Sequence, residues 1–381
     1  MAYLVLIGTR KGLFTATSDN RHDWVLKGPH SLDADGFTAV SEIYATAADP
    51  ATSRLLVAAE SPHFGPSVWS SDDLGATWTE PEAAPLAFPQ DLPYRPLDFS
   101  DTAGVDQPGS GRSNTVKRVW QLAFSPARPG RVWAGVEPTS LWSSDDGGAT
   151  FTFNRALWDH PHHETWGSGG GGPAVHTIIP DPHDGDKVTI AMSTGGIYQT
   201  SDDGRTWDGI TKGITVDFGP DPEPESGQCI HKVARDAEGT LFTQNHGPVY
   251  RREKDGWANV SAGLPSEFGF ALTAHPSRPG TAMVWPVVSG MYRFPPDHRL
   301  AAWRTDDSGD TWAPWGTGLP DGDYFTPVLR DASCTDGAAD PAWYFGTRSG
   351  DVFAAVDSEG TWRPVAEHVP DVLCVRAIET T

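Results

Sequence analysis

A chain of 381 residues is longer than one hydrophobic core usually organises, so it forms either two domains or one large circular or repeating architecture. Acidic side chains outnumber basic ones 50 to 28, and the formal charge of −22 argues against nucleic acid or an anionic membrane as partner. No apolar run approaches the roughly 18 residues of a membrane helix, while 41 Gly, 33 Pro and 16 Trp predict many short strands joined by turns.

The opening MAYLVLIGTRKG has an apolar stretch shorter and earlier than a signal peptide would have, and reads as a first strand. Cys229, Cys334 and Cys374 are odd in number and scattered, so no disulfide framework is expected and the expected location is cytoplasmic. One motif then recurs along the chain. SSDDLGATW at Ser70–Trp78, SSDDGGATF at Ser143–Phe151 and RTDDSGDTW at Arg304–Trp312 share Ser/Thr-x-Asp-x-Gly-x-Thr-aromatic, and SDDGRTW at Ser201–Trp207 reads as a copy one residue shorter. Degenerate copies end at Trp24, Trp257 and Trp362, which makes seven units.

The motif's chemistry is structural. Asp and Gly turn the chain, hydroxyl and carboxylate side chains bond backbone groups inside the turn, and the aromatic plugs against a neighbouring unit. Short strands such as SLWSS and GIYQT precede the copies, and pairs such as HTIIPDP and KVTIAMS lie upstream. Four short strands in units of about 50 residues, with no helical periodicity, predict an all-β fold: a seven-bladed β-propeller of four-stranded antiparallel blades in a single domain over residues 1–381. YLVLIGTRKGLF near the start parallels WYFGTRSGDVF at Trp343–Phe353, so the first strands are expected to complete a blade whose inner strand is LCVRAIE at the end of the chain.

On these copies the sequence resembles the Asp-box, or BNR-repeat, propellers, a group that includes sialidases, xyloglucan-degrading enzymes, sortilin-like receptors and photosystem assembly factors. Within that group it resembles the bacterial BNR-like repeat proteins often labelled exo-alpha-sialidase or glycosyl hydrolase. The resemblance implies that the motif turns lie on the face away from the functional site, so they say little about activity.

Aligning the units on their proline-ended segments predicts a ring at the channel mouth made of Tyr44, Trp120, His176, His231 and Phe270. The ends of the second strands add Arg10, Glu137, Thr194, His246 and Arg348, with Glu60 and His63 in a longer loop. His176, His231 and His246 form a candidate metal site for one divalent ion, zinc or similar, and Glu60 and Glu137 are candidate catalytic groups beside His246. Without a metal, the same imidazoles would contact ligand directly. Arg10, Tyr44, His63, Trp120, His163 and Arg348 are candidate substrate contacts, the last loop cluster being His160, His162 and His163 in LWDHPHHETW. The long connectors Thr79–Arg118 and Thr152–Ala174 should overhang this mouth. GSGGGG at 167–172 lacks the context of a phosphate loop and reads as a hinge.

A true sialidase is not expected, because its Arg-Ile/Leu-Pro segment is missing and only Arg10, Arg348 and Arg118 offer a partial arginine set with Tyr44. For another glycoside hydrolase, Glu60 with Glu137 is the pair on offer. The main expectation is an enzyme, of hydrolase or lyase type, acting on a small polar or anionic molecule, in a monomer or weak homo-oligomer. The alternatives are a glycoside hydrolase and a non-catalytic propeller that docks a protein or glycan.

Overall fold

The computed structural model describes residues 2–30, 42–61, 65–81, 86–93, 114–169 and 171–380. Its strands run in chain order as β1 (Ala2–Thr9), β2 (Gly12–Ser18), β3 (Val25–His30), β4 (Glu42–Ala48), β5 (Leu55–Ser61) and β6 (Gly65–Ser71). There follow β7 (Arg118–Phe124), β8 (Val132–Glu137), β9 (Ser140–Ser144), β10 (Thr152–Phe153), β11 (Val175–Pro180), β12 (Val188–Met192), β13 (Gly196–Thr200) and β14 (Asp208–Gly209). Next come β15 (Ile230–Arg235), β16 (Leu241–Asn245), β17 (Val249–Arg252), β18 (Trp257–Asn259), β19 (Gly269–Ala274), β20 (Ala282–Pro286), β21 (Ala302–Thr305) and β22 (Ala313–Trp315). The last five are β23 (Val328–Thr335), β24 (Ala342–Thr347), β25 (Val352–Val356), β26 (Arg363–Ala366) and β27 (Val372–Thr380). Among the described residues, helix is limited to one turn at Arg155–Trp158 and the 3-10 segments Pro161–Thr165 and Pro296–His298.

The strands form antiparallel four-stranded sheets, β7–β10, β11–β14, β15–β18 and β19–β22, and a three-stranded sheet β4–β6 that Thr79 extends through a bridge to Ser70. The remaining eight strands are two such sheets, β23–β26 and β27-β1-β2-β3, joined by one parallel bridge between Asp331 and Cys374. The first strand of each sheet contacts the first strand of the next in the order β4, β7, β11, β15, β19, β23, β27 and back to β4. The chain ends meet in this ring, where β27 pairs with β1 from Ala2–Thr380 to Thr9–Val372. Pairing the ends removes two open sheet edges.

Second strands such as VWAGVE (β8), VTIAM (β12) and AMVWP (β20) are buried at every position, as strands covered on both faces must be. The core therefore lies between sheets. Its plugs are the motif aromatics: the indole N–H of Trp257 donates to the Ile210 carbonyl at 2.5 Å, Trp312 to Val260 at 2.7 Å and Trp362 to Trp315 at 3.2 Å, each reaching the preceding sheet.

The motif turns are alike in four copies. In the first, Asp73 accepts from the Thr77 N–H and hydroxyl at 2.8 and 2.6 Å, and Ser71 Oγ accepts from the Gly75 N–H at 2.8 Å. Asp146, Asp202 and Asp307 repeat the pattern. In the third, the Thr200 hydroxyl takes the serine's place, accepting from Gly204, so this copy is full length and not one residue short.

Candidate functional site

One backbone device recurs where the ring residues stand. The β4–β5 register shifts between Ile43 and Ala45, the β7–β8 register between Val119 and Gln121, β11–β12 between Val175 and Thr177, and β15–β16 between Ile230 and Lys232. The residue left over in each bulge is Tyr44, Trp120, His176 or His231. Phe270 lies in the corresponding shift of β19, and Arg330 in that of β23. A bulge re-aims one side chain and bends the strand, so each sheet turns one non-ladder side chain toward the same end of the ring. The partner strand must then come close: at Gly135 an added Cβ would sit 2.2 Å from the Val175 carbonyl oxygen.

At this end lies a cavity of about 530 Å3. Arg10, Lys117, Arg118, Arg293, Arg330 and Arg348 line it, six cations against the two carboxylates Glu137 and Asp331, in a protein whose overall charge is strongly negative. Four of the cations have acid partners. Arg10 binds Glu42 at 2.8 Å and Asp371 at 3.3 Å, Arg348 binds Asp371 at 2.5 Å, Arg118 holds Glu60 through two nitrogens at 2.6 and 3.2 Å, and Lys117 binds Glu137 at 2.8 Å. Arg293 and Arg330 have no acid partner among the described residues. Arg293 donates to the Gly290 carbonyl at 2.9 Å, and Arg330 Nε is buried without a hydrogen-bond partner there. Burial pushes the Arg330 guanidinium below its ordinary range.

Tyr44, Trp120 and His176 also line the cavity. The Arg118 guanidinium lies over the Tyr44 ring at 3.9 Å, and Tyr44 leans on Trp120 with centroids 5.6 Å apart. Burial raises the Tyr44 hydroxyl's pKa against the pull of Arg118. Glu137 is fully buried and accepts from the Trp120 indole at 3.0 Å. Ser168, Gly169, Gly171, Gly172 and Pro173 of the connector before β11 line the cavity beside it, where Gly172 has φ +97° and an added Cβ would stand 2.3 Å from Glu137 Oε1.

Among the residues singled out from sequence, Arg10, Tyr44, Trp120, Glu137, His176 and Arg348 share this cavity, together with Arg118. Glu60 stands behind Arg118 rather than in the lining. His63 lies outside the described residues. His163 packs earlier in the same connector, its Nδ1 on the Trp158 carbonyl at 2.6 Å and its ring stacked on Trp166, while His162 and Trp166 bond the Tyr198 hydroxyl. His176 has both ring nitrogens engaged, Nε2 by the Ile230 carbonyl at 2.9 Å and Nδ1 by Thr177 at 3.1 Å, and burial holds it well below the usual imidazole pKa.

His231 and His246 do meet, with ring centroids 5.5 Å apart, and the third donor beside them is Cys229 rather than His176. The donor atoms of Cys229, His231 and His246 all lie within 4.8 Å of one another. Burial pulls the Cys229 thiol up, but its bond with His246 and the Arg330 charge outweigh this and leave it below the ordinary range. That same bond raises His246, whereas burial drives His231 well down. Sequence reasoning missed Arg293, Arg330, Asp331 and Cys229. The strand of Arg330 lacks the proline ending that marks those of Tyr44, Trp120 and His176.

No protein-family model matches the chain. An oligoxyloglucan-reducing end-specific xyloglucanase of Emericella nidulans is 24% identical over 267 residues, 61% of this chain and 31% of the relative, and a xyloglucanase of Paenibacillus is 27% identical over 222 residues, 54% and 18%. The chain thus spans less than a third of the curated relatives it matches. Among solved structures, the GH74 xyloglucanase from Xanthomonas campestris superposes with a TM-score of 0.60 at 17% identity, covering 96% of this chain and 52% of that one. YCF48 from Cyanidioschyzon merolae gives 0.52 at 13%, covering 86% and 87%. The chain is all-β with a propeller-like fold, and the curated proteins it is similar to are hydrolases.

Proposed function

We propose that the chain is a single-domain, seven-bladed β-propeller enzyme of glycoside-hydrolase type, which takes a compact carbohydrate bearing an acidic group into the mouth cavity. The observation that carries this reading is the cavity itself: two aromatic faces, Tyr44 and Trp120, beside two guanidiniums without acid partners among the described residues, Arg293 and Arg330, and the carboxylates Glu137 and Asp331. Aromatic faces suit the apolar side of a sugar ring, unpaired arginines a carboxylate or sulfate, and two carboxylates the acid and base or nucleophile roles of glycoside cleavage. Arg10, Arg118 and Arg348, neutralised by Glu42, Glu60 and Asp371, form the wall. The likeness to xyloglucanases supports the reaction class, and the small cavity supports a short ligand over a long neutral chain.

A non-catalytic glycan-binding propeller is the second reading, favoured because hydrogen bonds already occupy both oxygens of Glu137. Calorimetric titration of acidic and matched neutral oligosaccharides, with product analysis, tests both. Preference for the acidic ligand that Arg330→Met weakens at least about tenfold supports the cavity, and product release distinguishes enzyme from binder. Equal affinity for acidic and neutral ligands, unchanged in Arg330→Met, would overturn the ligand class.

A further inference from the structure

We infer that Cys229, His231 and His246 bind one zinc ion through three protein ligands, leaving a coordination position open. The three come from one sheet: Cys229 and His231 flank the start of β15, and His246 follows the paired strand β16, with its backbone N–H on the Cys229 carbonyl at 3.0 Å. This pairing brings the donor atoms to within 4.8 Å of one another. Donors on one zinc, at about 2.0–2.3 Å from the metal, lie somewhat closer than that, within reach of small side-chain rotations.

The tautomer of His231 is set for ligation. Its Nδ1 lies 2.6 Å from the Gly269 carbonyl, which can only accept, so Nδ1 carries the proton and Nε2 presents its lone pair. His176 has no such free nitrogen. Phe268 packs against both imidazoles at 5.1 Å, Phe270 stacks on His231 at 4.8 Å and Phe218 meets His246 at 6.0 Å, which shields the group on its apolar side. Cys229 and His231 are buried and His246 is half-buried, so access runs past His246.

One thiolate with two imidazoles selects zinc over magnesium or calcium, and three protein ligands mark a reactive rather than a closed structural site. The Arg330 charge opposes a dication, and the ligated thiolate offsets it. The competing account is a packed Cys–His hydrogen bond without metal.

Metal analysis of the full chain, with cobalt substitution and peptide mapping of thiol alkylation, decides between them. The expectation is about one zinc per chain, a thiolate-to-cobalt charge-transfer band on replacement, and protection of Cys229 from alkylation that chelator removes. Cys229→Ser, His231→Ala and His246→Ala should each weaken zinc binding by more than about 100-fold, while His176→Ala retains it. If those variants do not fold, the alkylation experiment on the wild-type chain still decides. Absence of the cobalt band together with identical Cys229 alkylation with and without zinc would overturn the assignment, as would undiminished zinc binding in folded Cys229→Ser.

Discussion

Trp120 donates its indole N–H to Oε2 of the fully buried Glu137 at 3.0 Å, while Lys117 holds Oε1 at 2.8 Å. The carboxylate therefore keeps a fixed orientation at the cavity wall. Trp120→Phe removes one of two partners of a buried acid and should cost about 1.5–3 kcal/mol of stability, the range for hydrogen bonds to charged groups. It should also weaken ligand binding. Chemical unfolding of the variant checks the first part, and unchanged stability would show that Glu137 draws little from the indole.

Gly172 makes the complementary prediction. Its φ of +97° disfavours any side chain, and a Cβ there would meet Glu137 Oε1 at 2.3 Å. Gly172→Ala should lose about 1–3 kcal/mol and push the connector out of the cavity, with ligand affinity falling more than in a substitution at Gly219, whose added Cβ meets only the Asp221 carbonyl at 3.8 Å. Thermal unfolding and ligand titration of the two variants make the comparison.

Deeper in the ring, Lys232 on β15 reaches Asp331 on β23, with both side chains about one-tenth exposed, and Gln121 on β7 donates to the same carboxylate at 3.1 Å. Three sheets meet in this contact. Lys232→Met strands a poorly solvated carboxylate and should cost about 3–5 kcal/mol, whereas Lys232→Met combined with Asp331→Leu should recover much of the loss. A double variant no more stable than Lys232→Met would contradict this account of the channel.

The motif turns predict an acid limb. Hydrogen bonds from the Thr77 hydroxyl and N–H hold Asp73 at about 2, and the Thr206 bonds hold Asp202 at about 2. Burial raises Asp146, but the Ser144 and Thr150 bonds outweigh it and bring it to about 2 as well. Folded values below the unfolded carboxylate range mean that this stability is complete above about pH 4 and is lost as pH falls toward about 2. A triple Asp→Asn chain at these positions should show a shallower loss of unfolding midpoint over that window. An acid slope equal to wild type would remove the turns from the ledger. Separately, Asp146→Ala should cost about 1–2 kcal/mol and leave ligand affinity alone, because the turn after β9 lies at the end of the ring opposite the cavity.

The repeating turns were legible because a turn's chemistry is local: Ser, Asp, Gly and Thr at fixed offsets bond one another, so spacing suffices. Tyr44, Trp120 and His176 were legible for a related reason, since a proline marks the end of each of their strands. Arg330 lacked that marker. Cys229 was passed over because its partners, His246 and Thr194, are brought to it by strand pairing and a neighbouring sheet, which no local spacing records. His176 looked like a ligand from its ring position, but the nitrogen a metal would need is taken by the Ile230 carbonyl of the next sheet. Glu60 likewise faces Arg118, a pairing across sheets that turns a candidate catalytic acid into a support for the cavity wall.

Under the proposed function, the mouth cavity turns over an acidic glycoside through Glu137. The most direct measurement is product release from a panel of acidic and neutral oligosaccharides by wild type and by Glu137→Gln, a change that keeps the side chain's shape. Turnover of an acidic substrate should fall by about 100-fold or more in the variant, with binding largely retained. Hydrolysis of neutral xyloglucan oligosaccharides at equal rates by both proteins would contradict it.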